Sequence, residues 1–262
     1  MTPWNRPHWL GAVLAYAMLA VLVAPIAVLV LAAFNQNVVP LPLTGLSLRW
    51  FDEALGRSDF INAAARSLAV SVGVTVTCVA LATALAVAAV RSGRRWIVIL
   101  GNLSLTSLFV PHSVMAFAML ALGRSMGLIG NMTVLVAAYL VVGFPLAYRV
   151  VVGALQTVDT SVEDAARVFG MGPVRAFFST TGRVISEGIL VAAVMTMVAI
   201  FNDAVFSSFL GSLRSETFGM KLFGYMANEY DSLAAAYGAL MFGVSLPAIY
   251  LVIRLGGTRA KL

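Results

Sequence analysis

A chain of 262 residues with 61% apolar and only 11% charged residues lies far below the roughly 25% charge of a soluble domain. Apolar runs longer than about 18 residues recur, which excludes a water-soluble globule and calls for helices that cross a bilayer. The runs are continuous rather than alternating, which excludes a membrane barrel, and the net charge of +6 is scattered over loops in a way that sets orientation rather than binding nucleic acid.

Six spans are predicted in chain order: Leu10–Phe34, Ala63–Val90, Trp96–Leu122, Asn131–Val152, Glu187–Leu210 and Leu233–Leu255. The chain therefore reads as all-α and integral to the membrane, one domain over residues 1–262 with no soluble module and no internal repeat. The first span is too long for a signal h-region and is expected to remain as an anchor. Cys78, the single cysteine, lies inside an apolar run and reads as a small buried hydrophobe.

Basic residues set the topology. The N-terminus, the turn Arg91–Arg95, the interval Arg149–Arg183 and the tail Arg254–Lys261 hold eleven of the seventeen. The positive-inside rule then places both termini, and the interval between spans four and five, in the cytoplasm. On the opposite side, Leu48, Phe51 and Leu55 share a helical face in the loop before span two. That piece suits either an interfacial anchor through Trp50 and Phe51 or a docking surface for an external partner.

The polar interval is the most informative stretch. Thr160 with Glu163, and Ser161 with Asp164, are overlapping capping-box candidates. Val162, Ala165, Ala166 and Phe169 fall on one face, Gly170 supplies a left-handed stop, and Pro173 opens a second helix with Val174, Phe177, Phe178 and Ile185 along a stripe. The spacing fits a protruding knob, and equally a re-entrant connector held by its own Phe residues.

Asp164-Ala165-Ala166, followed by Gly170, resembles the EAA loop of the membrane subunits of type I, binding-protein-dependent ABC importers. Asp stands for the motif's Glu, and its later Ile-x-Leu-Pro is replaced by Thr180-Thr181-Gly182-Arg183. The segments Ala24-Pro25-Ile26, Ala63–Val70, Phe201-Asn202-Asp203 and Ser207-Ser208-Phe209 extend the resemblance to the second permease of the polyamine (spermidine/putrescine) branch. The resemblance implies a coupling helix between spans four and five, with Glu163, Asp164, Ala165, Ala166 and Gly170 coupling to an ATP-binding subunit present as a dimer. It further implies a second homologous permease, an external solute-binding protein, a bacterial inner-membrane location, and ATP with Mg²⁺ held on the ATPase rather than by any cofactor of this chain.

Asp203, about sixteen residues into span five and roughly 24 Å from its start, is the clearest ionisable group inside a span. With Phe201, Asn202 and Phe206 it could hold an ammonium group by charge and cation–π attraction, or it could pair with Arg214 or reach interfacial water. Tyr139 and Tyr148 are further candidates for the path, although simple packing explains them as well. In the polyamine branch this site looks like a pair of Asp residues, and here the first is Asn202. Pro111 and Pro145 are expected to kink spans three and four, with His112 a packing residue after the first.

No phosphate-binding Gly-x-x-x-x-Gly-Lys-Ser/Thr loop, metal-spaced cluster or nucleophile–base pair is present in the sequence. The expectation is a non-enzymatic transport subunit for a polyamine. Import of an amino-acid derivative or opine-like solute is the alternative. An ion-coupled secondary transporter would call for repeats and several midplane charges.

Overall fold

The computed structural model describes residues 8–212, 216–229 and 231–257. The chain divides into two compact units, one of residues 1–58 with 224–243 and one of residues 59–223 with 244–262. Among the described residues every regular element is a helix, and the one extended pairing is an isolated Asn35–Leu46 bridge.

In the first unit α1 (His8–Ala33) is apolar on every side, with Leu14, Tyr16 and Val21 about 70% exposed. A helix of that kind is soluble only in lipid or against other apolar helices. The loop after it is organised on one fully buried amide. Asn35 Nδ2 donates to the carbonyls of Val39, Pro40 and Pro42 at 2.8–3.1 Å, and its Oδ1 accepts from Thr44. The short helix α2 (Arg49–Gly56) hangs from this loop by Trp50, whose Nε1 donates to the Asn35 carbonyl at 2.7 Å. Of the two anchor residues considered from the sequence, Trp50 turns inward. Leu48 and Leu55 are about 60% exposed while Trp50 and Ala54 are buried, because the indole removes the most apolar area from water and also satisfies its N–H.

The second unit is built on α3 (Ser58–Arg91), α6 (Met132–Gln156) and α9 (Thr181–Phe201). Along α3 the buried face is a run of small residues, Ala63, Ser67, Ser71, Cys78, Ala82 and Ala86, which lets backbones approach closely where lipid supplies no hydrophobic drive. Gly143 of α6 sits where the three helices meet. A Cβ there would press on Cys78, Thr196 and Ile200 at 3.1–3.2 Å.

Two expected spans end elsewhere. The third is α4 (Arg95–Ser104), a 3₁₀ turn (Leu105–Phe109) and α5 (His112–Ser125), bent by 107° at the break. Pro111, with φ −55° and ψ 132°, cannot continue the helix it follows, so the expected gentle kink is a break. The fifth span runs from Thr181 to Phe201 rather than from Glu187 to Leu210, and Val205–Leu210 forms a separate short helix, α10. Its early start also corrects the expected second loop helix: α8 (Pro173–Ser179) stops at Thr180 (φ −113°, ψ −86°), and Ile185 belongs to α9. Between α6 and α8 lies α7 (Ser161–Val168). The last described elements are α11 (Phe218–Asn228) and α12 (Ser232–Gly257).

Among the described residues four helices are long and apolar enough to cross a membrane, or five if the bent α4–α5 pair is one span. A shorter apolar stretch, Ser232–Pro247, follows.

Candidate functional site

Two clusters of the second unit carry the expected site residues. The first is the knob formed by α7 and α8. Its entry is not capped as expected: Thr160 and Ser161 make no side-chain cap, and Asp159 Oδ1 instead accepts the Ser161 N–H at 2.9 Å. An Asx turn one residue earlier does the same work with a stronger, charged acceptor. Gly170 ends the turn with φ +87° and open space around it, the left-handed stop expected of a C′ glycine. Its N–H bonds the Arg167 carbonyl at 2.9 Å, and the Met171 N–H bonds that of Ala166 at 3.2 Å.

The outward face of the knob is apolar: Val168 and Phe169 are more than 80% exposed, and Val162, Val174 and Phe178 about 60–70%. Asp164 and Ala165 face out beside them, and Ala166 is half-buried. Glu163 was expected with this outward set and instead points inward, 2% exposed. Its Oε1 receives the Arg91 and Arg167 guanidinium groups, the latter at 2.7 Å. Its Oε2 accepts the Thr181 hydroxyl at 2.7 Å, and that hydroxyl in turn accepts from Arg91 at 2.8 Å. Hydrogen bonding from Arg91, more than any other cause, lowers the Glu163 carboxyl to about 2. Arg91 also lies 5.0 Å from the centre of the Phe177 ring.

The second cluster surrounds the break after α9. Asp203 stands two residues beyond Phe201, roughly 33 Å along the helix axis from Thr181, and not within a helix as expected. Its Oδ2 accepts from the Tyr139 hydroxyl at 3.2 Å and the Ser207 N–H at 3.4 Å. Phe206, 1% exposed, packs between Tyr139 (6.1 Å, edge to face) and His112 (5.3 Å, tilted). With Leu108 and Gly143 these groups line a cavity of about 170 Å³. Among the described residues no Lys or Arg lies within ion-pair distance of Asp203. Arg214, the partner considered from the sequence, lies outside the described residues.

The break is braced from α3. Ser67 Oγ accepts the Phe218 N–H at 2.7 Å, Arg66 donates to the Glu216 carbonyl at 3.0 Å, and Lys221 bridges Asp59 and Glu216 at 2.9 and 3.1 Å. Gly219 is required here, since a Cβ would run into the Asp203 carbonyl.

Not every expected path residue converges. Tyr139, Asp203 and Phe206 do, and buried Phe201 closes α9 beside them. Asn202 turns away to bond Ser245 at 3.1 Å. Tyr148 lies two and a half turns along α6, stacked on Phe144 at 6.1 Å with its ring against Gly101. His112 joins the cavity although its position suggested only packing, and the bend at Pro111 is what carries it there. Arg91 and Thr181 had no signal in the sequence, being 72 and 18 residues from Glu163.

Residues 79–255 match the family described as the binding-protein-dependent transport system inner membrane component. The putrescine transport system permease protein PotI of Escherichia coli is 27% identical over 244 residues, covering 89% of this chain and 87% of that one. The spermidine/putrescine transport system permease protein PotC of Haemophilus influenzae is 21% identical over 236 residues, covering 90% and 92%. Among solved structures, a chain of a bacterial ABC transporter involved in the import of the acidic polysaccharide alginate aligns with TM-score 0.68 at 13% identity, over 97% and 96% of the two chains. A chain of the inward-facing MetNI methionine ABC transporter aligns with TM-score 0.60 at 16% identity, over 75% and 94%. At identities this low the two structural likenesses show a shared fold alone.

Proposed function

This chain belongs to the family of binding-protein-dependent transport system inner membrane components, as a multi-pass ABC importer permease, and within that family we propose that it passes a polyamine. The observation that carries this reading is the Asp203 carboxylate in a cavity walled by Tyr139, Phe206 and His112. A carboxylate beside aromatic faces attracts an ammonium group by charge and by cation–π contact together, and a desolvated cavity strengthens both. The relatives named for putrescine and spermidine/putrescine transport agree with that chemistry. A single carboxylate also suits a solute with one cationic end, such as an amino-acid derivative.

In this reading the chain crosses the inner membrane six times with both termini in the cytoplasm. The knob of α7 and α8 seats its apolar face in a separate ATP-binding subunit, which holds the nucleotide and Mg²⁺ and acts as a dimer. A second homologous permease completes the path, and an external binding protein delivers the solute. Asp164, Ala165, Ala166 and Gly170 shape the seat, with Val168 and Phe169 as its apolar contacts.

The test is uptake of labelled putrescine by the assembled system in proteoliposomes. Wild-type transporter should accumulate it, and Asp203→Asn should lower uptake at least tenfold while the complex still assembles. Undiminished putrescine uptake by Asp203→Asn overturns the site. Uptake of an amino-acid-derived monocation, with none of putrescine, selects the second reading.

A further inference from the structure

Glu163 is the only buried residue of the eight in α7. The larger apolar side chains of that helix, Val162 and Val168, are exposed and only the methyl of Ala166 is half-buried, so little apolar surface fastens it to the bundle. What fastens it is a directional polar cluster drawn from three elements. Arg91 comes from the last turn of α3, Glu163 and Arg167 from α7, and Thr181 from the first residue of α9. Both carboxylate oxygens are used, and the Thr181 hydroxyl donates to one group while accepting from another. Charge-assisted bonds of this kind fix orientation, whereas apolar contacts allow sliding.

We infer that Glu163 is a positioning residue that locks the knob to the ends of α3 and α9, so that a displacement of the knob moves both spans as one body. The inference rests on the knob being the seat for the ATPase. It adds that the push enters two spans at once rather than only along the chain through Gly170–Thr180. Glu163 then takes no part in the seat itself, and its neighbours Asp164 and Phe169 face the other way.

The experiment uses the assembled transporter, with Cys78→Ala and spin labels on Ser161→Cys, an exposed position of α7 outside the seat, and either Val90→Cys or Ser186→Cys. Distances are read by pulsed electron paramagnetic resonance without nucleotide and in the vanadate-trapped state. With Glu163 intact, each pair should give one narrow distance that does not change with nucleotide. Glu163→Gln should retain the ATPase at wild-type yield, while both distributions widen about twofold and shift with nucleotide. Narrow, unshifted distances in Glu163→Gln overturn the lock, and so does loss of the ATPase from that variant, which would put Glu163 in the seat. If Glu163→Gln does not accumulate, Thr181→Val decides, since it removes two hydrogen bonds and leaves both ion pairs. Widening there supports the lock, and none overturns it.

Phe169→Asp separates the two readings. It should release the ATPase while leaving the nucleotide-free distances narrow. Retention of the ATPase by Phe169→Asp refutes the seat, yet the widths in Glu163→Gln still judge the lock.

Discussion

The knob withdraws Glu163 from water beneath two guanidinium groups and a hydroxyl, whereas the break after α9 leaves Asp203 with one phenol and one backbone N–H. Both sites spend a carboxylate where a plain membrane helix would have none. At Glu163 both oxygens are held by donors of this chain, three in all, and the result is stiffness. At Asp203 acceptor capacity remains, and the group opens on a cavity of about 170 Å³. A carboxylate fastened at both oxygens by ion pairs suits a part that transmits force, and one with an oxygen left open suits a part that must bind and release a cation.

The comparison breaks most readily at the knob. Glu163→Ala strands Arg91, and breaking a buried pair in this way costs about 3–5 kcal/mol. Because the Arg91 side chain stays 23% exposed, the lower end, about 3 kcal/mol, is expected as a fall in chemical-denaturation stability of the detergent-solubilised complex. A loss below about 1 kcal/mol, the usual worth of a surface pair, would show that the cluster is no lock. Gly170→Val is the next largest. Its φ of +87° strains any L side chain, although no atom obstructs it, and such a residue costs about 1–3 kcal/mol. The strain should appear as roughly tenfold weaker ATPase retention with the Glu163 distances unchanged. Widened distances would mean that the turn and the cluster are one cooperative unit.

Asp203→Asn should cost less than about 1 kcal/mol of stability, since among the described residues no Lys or Arg is left unpaired and the amide still accepts from Tyr139. Its effect belongs to uptake. A stability loss matching that of Glu163→Ala would make Asp203 structural and erase the contrast.

How much of this could be read from the residues follows from what local spacing encodes. The apolar runs located α1, α3 and α6 to within a few residues, because bilayer thickness fixes run length, and found α9 with both ends displaced. Gly170 was legible, since a glycine after a short amphipathic helix reports a left-handed stop. The direction of Glu163 was not, because an eight-residue helix has several faces and the partner that picks one, Arg91, is 72 residues away. The break at Pro111 was read too mildly: a proline in an apolar run is compatible with a kink or a full stop, and tertiary packing around Leu105–Phe109 decides. The end of α9 at Phe201 was hidden for the reverse reason. Ala204–Leu210 is apolar enough to extend a span, so composition joins what the Asn202-Asp203 turn divides.

The smallest effect is also the sharpest test of the cluster. Glu163 titrates near 2 in the folded chain against an ordinary value of 4.5. A depressed folded value means that the carboxylate stabilises the fold above 4.5, and that this contribution is lost as the pH falls toward 2. The charged groups facing it are Arg91 and Arg167, with Asp164 3.8 Å from Arg167 on the outer side. Between pH 8 and 5 the distance from position 161 to position 90 should therefore not change. At pH 3 about a tenth of Glu163 would be protonated, against nearly all of a carboxyl left at its ordinary value. A knob still narrow at pH 3 means that the arginines hold the charge. One that loosens near pH 4.5 means that Glu163 meets water freely, and a knob that meets water freely cannot carry force to α3 and α9 together.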